Sequence, residues 1–158
     1  MCGIAGFCDF NKKQDKKTLI KMTDILHHRG VDDSGYNFSN SHFSNIGLGH
    51  RRLSILDLSK HGHQPMTFDY FEIIYNGEIY NFKEIRAELE EVGYSFSSDS
   101  DTEVILKAYH KWGIKAVGKF NGMFAICIYD KKLEKLILIR DRAGVKPLFW
   151  YCRWRHGI

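Results

Sequence analysis

Two β-rich runs, 123–129 and 135–140, are separated only by a short polar stretch around Asp130-Lys131-Lys132. A connection that short joins antiparallel strands, because parallel neighbours need a crossover of a dozen residues or more. Helical periodicity occurs elsewhere in the chain but never in a regular strand–helix–strand alternation. Leu19, Met22, Ile25 and Leu26 recur at helical spacing and predict a helix over 16–27, with Gly30 just past its end. Asn81 with Glu84 three residues on forms a capping-box pattern, followed by the apolar stripe Ile85, Leu89 and Val92 and a terminating Gly93. Ser100 and Glu103 repeat that pattern before Val104, Ile105, Ala108 and Trp112. Gly3–Asp9 reads as a first strand, and 50–58 as extended. The run 71–75 reads as a strand that stops at the turn dipeptide Asn76-Gly77. Together these imply an α+β protein with antiparallel sheet layers and helices packed outside.

A chain of 158 residues with 44% hydrophobic and 27% charged content can bury one substantial core. The net charge of +4 is scattered, and its densest run, Lys12, Lys13, Lys16 and Lys17, reads as a solvated loop and helix start. No basic stripe with interleaved aromatics is present, so no nucleic-acid partner is expected. No apolar run approaches the roughly 18–20 residues of a membrane span, and no basic-then-apolar leader opens the chain. The four cysteines lack zinc-type spacing and read as reduced thiols in a cytoplasmic protein. His61 and His63 flank Gly62 in a loop and read as loop residues, not metal ligands; no metal is expected.

Chemistry centres on Cys2, in the run Met1-Cys2-Gly3-Ile4-Ala5-Gly6-Phe7. Removal of Met1 leaves a thiol (pKa about 8.5) and an α-amine (pKa about 7.7–8.0) on one Cα. A nucleophile and its base then sit on the same residue, the logic of an N-terminal nucleophile. The small residues after it let backbone and substrate approach closely.

Six motifs occur in order: Met1-Cys2-Gly3-Ile4-Ala5-Gly6; Arg29-Gly30 with Asp32-x-Ser34-Gly35; Arg52-Leu53-Ser54-Ile55; Asn76-Gly77-Glu78-Ile79-Tyr80-Asn81; Ser100-Asp101-Thr102-Glu103; and Asp141-Arg142-x-Gly144. Each is weak alone, but in register they resemble the N-terminal glutaminase domain of glutamine-hydrolysing asparagine synthetases. Those are class II amidotransferases of the N-terminal-nucleophile (Ntn) hydrolase group. The resemblance runs over 1–148 and implies a four-layer αββα sandwich of two antiparallel sheets. It implies hydrolysis of the glutamine side-chain amide to glutamate and ammonia through a Cys2 thioester. Asn76 and Gly77 are implied as oxyanion donors. Arg52 is implied as the fork that holds the glutamine carboxylate, chosen over Arg51 because it directly precedes Leu53-Ser54-Ile55. Asp101, helped by Glu78, is implied for the ammonium, with Leu53, Ile55 and Leu56 as further contacts. Asp141-Arg142 reads as a loop-ordering pair.

Val31 and Ala143 depart from the family's usual residues. The segment 149–158 is aromatic and basic and is expected to be an atypical tail, with the last strands of the domain missing. No Ser-Gly-Gly-rich pyrophosphate loop is present, so ATP and magnesium are expected only in a synthetase domain or subunit outside this chain. No cofactor is expected within it. The rival expectations are the glutaminase part of another class II amidotransferase and a non-catalytic fragment of a split synthetase.

Overall fold

The computed structural model describes residues 2–53 and 62–153. Two antiparallel sheets lie face to face. The first is built from β1 (Gly3–Asp9), β2 (Asp33–Asn40) and β3 (Asn45–Arg52) in the order β1-β3-β2. The second is built from β4 (Met66–Phe68), β5 (Phe71–Ile79), β6 (Gly122–Asp130) and β7 (Lys135–Arg140) in sequence order. Helix α1 (Lys16–Asp24) covers the outside of the first sheet. Helices α2 (Phe82–Glu91) and α3 (Asp101–Trp112) pack together, and α3 lies on β4 and β5 of the second. The architecture is the expected four-layer αββα sandwich of two antiparallel sheets.

The period-two alternation of β5 and β6 divides the interior into two cores. Phe71, Ile73, Tyr75, Ile79, Phe124, Ile126 and Ile128 face the helices, where they meet Ile85, Leu89, Val104 and Ile105. The opposite face of the same strands presents Ile74, Cys127 and Tyr129 to Ile46 and Leu48 of β3. Burial pushes the Cys127 thiol up to about 12, so it behaves as a small apolar side chain there.

Helix α1 comes close to its sheet because β3 carries glycine where the two meet. A Cβ on Gly49 would stand 2.0 Å from Thr23 Oγ1, and one on Gly47 3.1 Å from Leu19 Cδ1. Thr23 is fully buried, with its hydroxyl donating to Leu19 O at 2.8 Å.

Several expectations are corrected. Asn76-Gly77 is no turn: β5 runs straight through it to Ile79, with Asn76 opposite Ala125 and Gly77 opposite Phe124. Helix α1 ends at Asp24, and a separate 3-10 turn follows over His27–Arg29, which leaves Ile25 exposed. The Asn81 capping box does not form. Its amide donates to Lys119 O at 3.0 Å and its oxygen accepts Asn121 N–H at 2.9 Å, so the residue ties two segments together instead. Val92 is exposed rather than part of the α2 stripe. Strands β2 and β4 had no strong sequence signal. Of the expected extended run 50–58, residues 50–52 are in β3 and 54–58 lie outside the described residues.

Ser100 does cap α3, accepting Thr102 N–H at 3.1 Å. Glu103 does not close a box with it. The Glu103 carboxylate gathers Ser98 Oγ at 2.6 Å, Ser98 N at 2.8 Å and Lys107 Nζ at 2.5 Å. Burial opposes the charge, but these donors outweigh it and hold the carboxyl down at about 2.

Two predictions follow from this packing. Gly49→Ala should lower stability by about 1–3 kcal/mol through overpacking, read as a fall in melting temperature, and Thr23→Ala added to it should restore part of the loss. The Glu103 carboxyl is depressed below its ordinary value of 4.5, so its contribution is complete above that pH and disappears as pH falls towards about 2. Urea midpoints from pH 6 to pH 2.5 should therefore show an acid-limb loss on the order of 2 kcal/mol that Glu103→Gln abolishes.

Candidate active site

Cys2 stands immediately before β1, in register to oppose Arg52 at the end of β3, since Gly3 pairs with Arg51. Its thiol is tied to the next residue of that strand. Leu53 N–H donates to Cys2 Sγ at 3.4 Å, and Sγ lies 3.7 Å from Leu53 O. The Arg29 guanidinium reaches Cys2 O at 3.4 Å. Arg29 and Leu53, which touch Cys2, line a cleft of about 350 Å³ together with His28, Gly30 and Val31. Gly30 admits no side chain, because a Cβ would meet the Arg51 and Arg52 backbone at 2.5–2.6 Å.

Across the gap, the open edge of β5 supplies the second half of the site. Tyr80 N–H goes to Asn121 O and Tyr70 O accepts Lys131 N–H, so even-numbered residues of β5 turn their backbone groups to β6. Odd-numbered residues turn theirs to the other edge, where β4 covers only Phe71, Glu72 and Ile73. Beyond β4, buried side chains take over. Gln64 Oε1 accepts Tyr75 N–H at 2.6 Å, His50 Nε2 lies 3.2 Å from Tyr75 O, and Asp101 Oδ2 accepts Ile79 N–H at 3.1 Å. Gly77 N–H lies between these on the same edge and has no protein partner among the described residues. A Cβ on Gly77 would stand 2.2 Å from Met123 O, so glycine is required there for packing alone.

Asn76 is buried on the face of β5 turned to the first sheet, as Ile74 is, and its amide makes no hydrogen bond among the described residues. Asp101, the first residue of α3, is also buried, and its Oδ2 accepts the Tyr75 hydroxyl at 2.7 Å. Burial raises the Asp101 carboxyl above its ordinary value, partly offset by the Tyr75 and Ile79 donors. Burial also drives the Tyr75 phenol well above 10, and the charges of Asp101, Glu78 and Cys2 add to that shift. Tyr75 is therefore within electrostatic reach of the nucleophile and of both candidate acids. Arg52 is buried with the Gly62 backbone against its guanidinium. Ile55 and Leu56 lie outside the described residues.

Asp141 orders its loop as expected, but through backbone amides: Val145 and Lys146 N–H donate to it at 2.8 and 2.9 Å. His63 Nδ1 lies 2.7 Å from Asp33 Oδ2. No group of three or more potential metal ligands occurs among the described residues, and no helix is long and apolar enough to cross a membrane. Sequence reasoning did not single out His50, Gln64 or Tyr75. The one available signal was strand parity: His50 is two residues before Arg52 and shares its face.

Comparisons with known proteins place the chain in a family. A family model described as "Glutamine amidotransferase domain" matches residues 1–157. The chain belongs to the glutamine amidotransferase domain family. It is 44% identical over 156 residues to asparagine synthetase [glutamine-hydrolyzing] 3 of Bacillus subtilis, covering 95% of this chain and 25% of that protein. It is 44% identical over 158 residues to asparagine synthetase [glutamine-hydrolyzing] 1 of the same organism, covering 95% and 24%. The amidotransferase domain thus spans about a quarter of the length of these relatives. The fold is similar to the glutamine phosphoribosylpyrophosphate amidotransferase of B. subtilis, with a TM-score of 0.69 at 19% identity over 92% of this chain and 38% of that one.

Proposed function

We propose that this domain hydrolyses the side-chain amide of glutamine, with Cys2 as nucleophile, and delivers the ammonia to a synthetase domain or subunit. The observation that carries the reading is the Gly77 N–H, left without a protein partner on the edge of β5 beside the Asn76 amide. Both are donors of the kind a tetrahedral oxyanion needs.

With Met1 removed, the α-amine of Cys2 takes the thiol proton, directly or through a water, and sulfur attacks the amide carbon. Asn76 Nδ2–H and Gly77 N–H stabilise the oxyanion. Collapse breaks the C–N bond, the protonated amine hands its proton to the departing ammonia, and a thioester remains. Water then adds to the thioester carbon and glutamate leaves. Arg52 holds the α-carboxylate with its planar fork, and Asp101 and Glu78 face the α-ammonium. Leu53, Ile55 and Leu56 line the segment that follows Arg52. Asparagine formation from aspartate, with ATP and magnesium, belongs to the rest of a synthetase of the relatives' type. This chain supplies only the ammonia.

Three measurements test this. Intact mass after exposure to a glutamine-mimicking diazoketone should show loss of Met1 and a single adduct, absent in Cys2→Ala. A processed, folded chain that takes no adduct would point instead to a non-catalytic fragment. Asp101→Asn should raise KM for glutamine roughly 10–100-fold, the value of a hydrogen bond to a charge. Because burial raises the Asp101 carboxyl, its charge is lost as pH falls through a value above the ordinary 3.8. KM of the unmodified chain should therefore climb on acidification before ordinary carboxylates titrate, and that climb should be missing in Asp101→Asn.

A further inference from the structure

We propose that His50 is a positioning residue for the oxyanion donors: from the first sheet it holds the Tyr75 carbonyl of the second and so fixes the backbone that aims Asn76 and Gly77 at the Cys2 thiol. This rests on the glutaminase reading above.

His50 lies on β3 opposite Ile4 of β1 and Gly35 of β2, and is 1% exposed. Its Nε2 meets Tyr75 O at 3.2 Å. A carbonyl oxygen can only accept, so Nε2 carries the proton and Nδ1 is a bare lone pair. That Nδ1 is buried without a partner. A buried acceptor left unpaired costs about 1–3 kcal/mol. The imidazole is therefore not explained as a general filler of the inter-sheet core, where Leu48, two residues earlier on the same face, packs without that cost. Burial also pulls the imidazole down to about 4, so it stays neutral and keeps one N–H at working pH.

The target of that N–H is what gives it a role. Tyr75 O belongs to the peptide group joining Tyr75 to Asn76, and among the described residues no strand covers that edge of β5 beyond Ile73. Gln64 holds the other backbone group of Tyr75, at 2.6 Å, and is itself anchored by donating to Thr102 Oγ1 at 3.1 Å. With Asp101 on Ile79 N–H, three side chains fix β5 on either side of Gly77 and leave its N–H open. Of the three, only His50 comes from the sheet that carries Cys2 and Arg52. It therefore sets the distance between nucleophile and donors. A peptide plane that rotates by some tens of degrees would turn the Asn76 amide and the Gly77 N–H away from the oxyanion, with little effect on how glutamine's carboxylate and ammonium are held.

The test compares ammonia release from glutamine by the unmodified chain, His50→Leu and His50→Gln, with folding checked by near-ultraviolet dichroism. His50→Leu should lose kcat on the order of 10²-fold, the usual loss for a misaligned oxyanion donor, with KM within about twofold. His50→Gln, whose amide N–H can occupy the place of Nε2–H, should recover kcat to within about tenfold of the unmodified chain. A folded His50→Leu with kcat unchanged overturns the proposal, as does a rise in KM alone or an equal kcat loss in both variants. Should His50→Leu not fold, His50→Gln decides: kcat within tenfold supports the role, and kcat as low as that of Cys2→Ala overturns it. An unmodified chain that neither takes the diazoketone nor releases ammonia overturns the glutaminase reading itself, and the role of His50 with it.

Discussion

Strand β5 is buried on both faces and paired along one full edge, and this dictates how the remaining elements are arranged. One face supplies Phe71, Ile73, Tyr75 and Ile79 to the helix-side core, and the other supplies Ile74 to the inter-sheet core. Exposing the helix-side face would lose four large side chains to water, at roughly 1.5–3 kcal/mol each, and exposing the other would lose Ile74 and uncover Glu72 and Asn76. The strand therefore cannot shift by one residue, since a slip would exchange the two faces and put Glu72 and Asn76 under the helices. That fixed register leaves one degree of freedom, the edge beyond β4, and the site is built along it. Glu72 itself is accommodated between the sheets by Asn37 and by Lys131 Nζ at 3.3 Å, so even the charged position on that face is bound to the register.

The fold class was legible because the signals for it are local. The β6–β7 hairpin and the apolar stripes of α2 and α3 follow from spacing alone. Asn76-Gly77 was misread because its turn preference is also local, whereas its strand conformation is imposed by pairing with Ala125 and Phe124 from a distant segment. The glycine is there because Met123 O leaves no space for a Cβ, a reason no local pattern carries. The Asn81–Glu84 box failed for the same kind of reason: Asn121, forty residues later, competes for the Asn81 side chain and wins. Strand β2, with Asp33, Ser34, Gly35, Asn37, Ser39 and Asn40, has little intrinsic β preference and exists because β3 pairs with all eight of its residues.

The candidate site was proposed from the sequence as a set of residues, not as a geometry. The motifs named Cys2, Arg52, Asn76 and Asp101. They did not reveal that Asp101 is bound to the Tyr75 hydroxyl, or that Gln64 and His50 hold the two backbone groups of Tyr75. These supporting contacts join residues 25, 26 and 11 positions apart and depend on both sheets being in place. Buried polar side chains aimed at backbone groups are costly unless their partners are held in position. Here each one has its partner on an element already fixed by an apolar core, so the polar layer is stiff without contributing most of the stability.

An N-terminal nucleophile faces a difficulty that an internal one does not, because chain ends fray. In this chain the difficulty is met by the strand that follows. All seven residues of β1 pair with β3, and the small residues Gly3, Ala5 and Gly6 let the strands and α1 close on each other: a Cβ on Gly6 would meet Gly47 O at 2.6 Å. The pairing continues one step further, since Leu53 N–H donates to the thiol itself. The nucleophile is thereby fixed to the residue after Arg52, the group assigned to the glutamine carboxylate. On the proposed glutaminase reading, the groups that would grip and attack the substrate are then both tied to one stretch of β3. His50, on that same stretch, extends the same frame to the oxyanion donors on the opposite sheet.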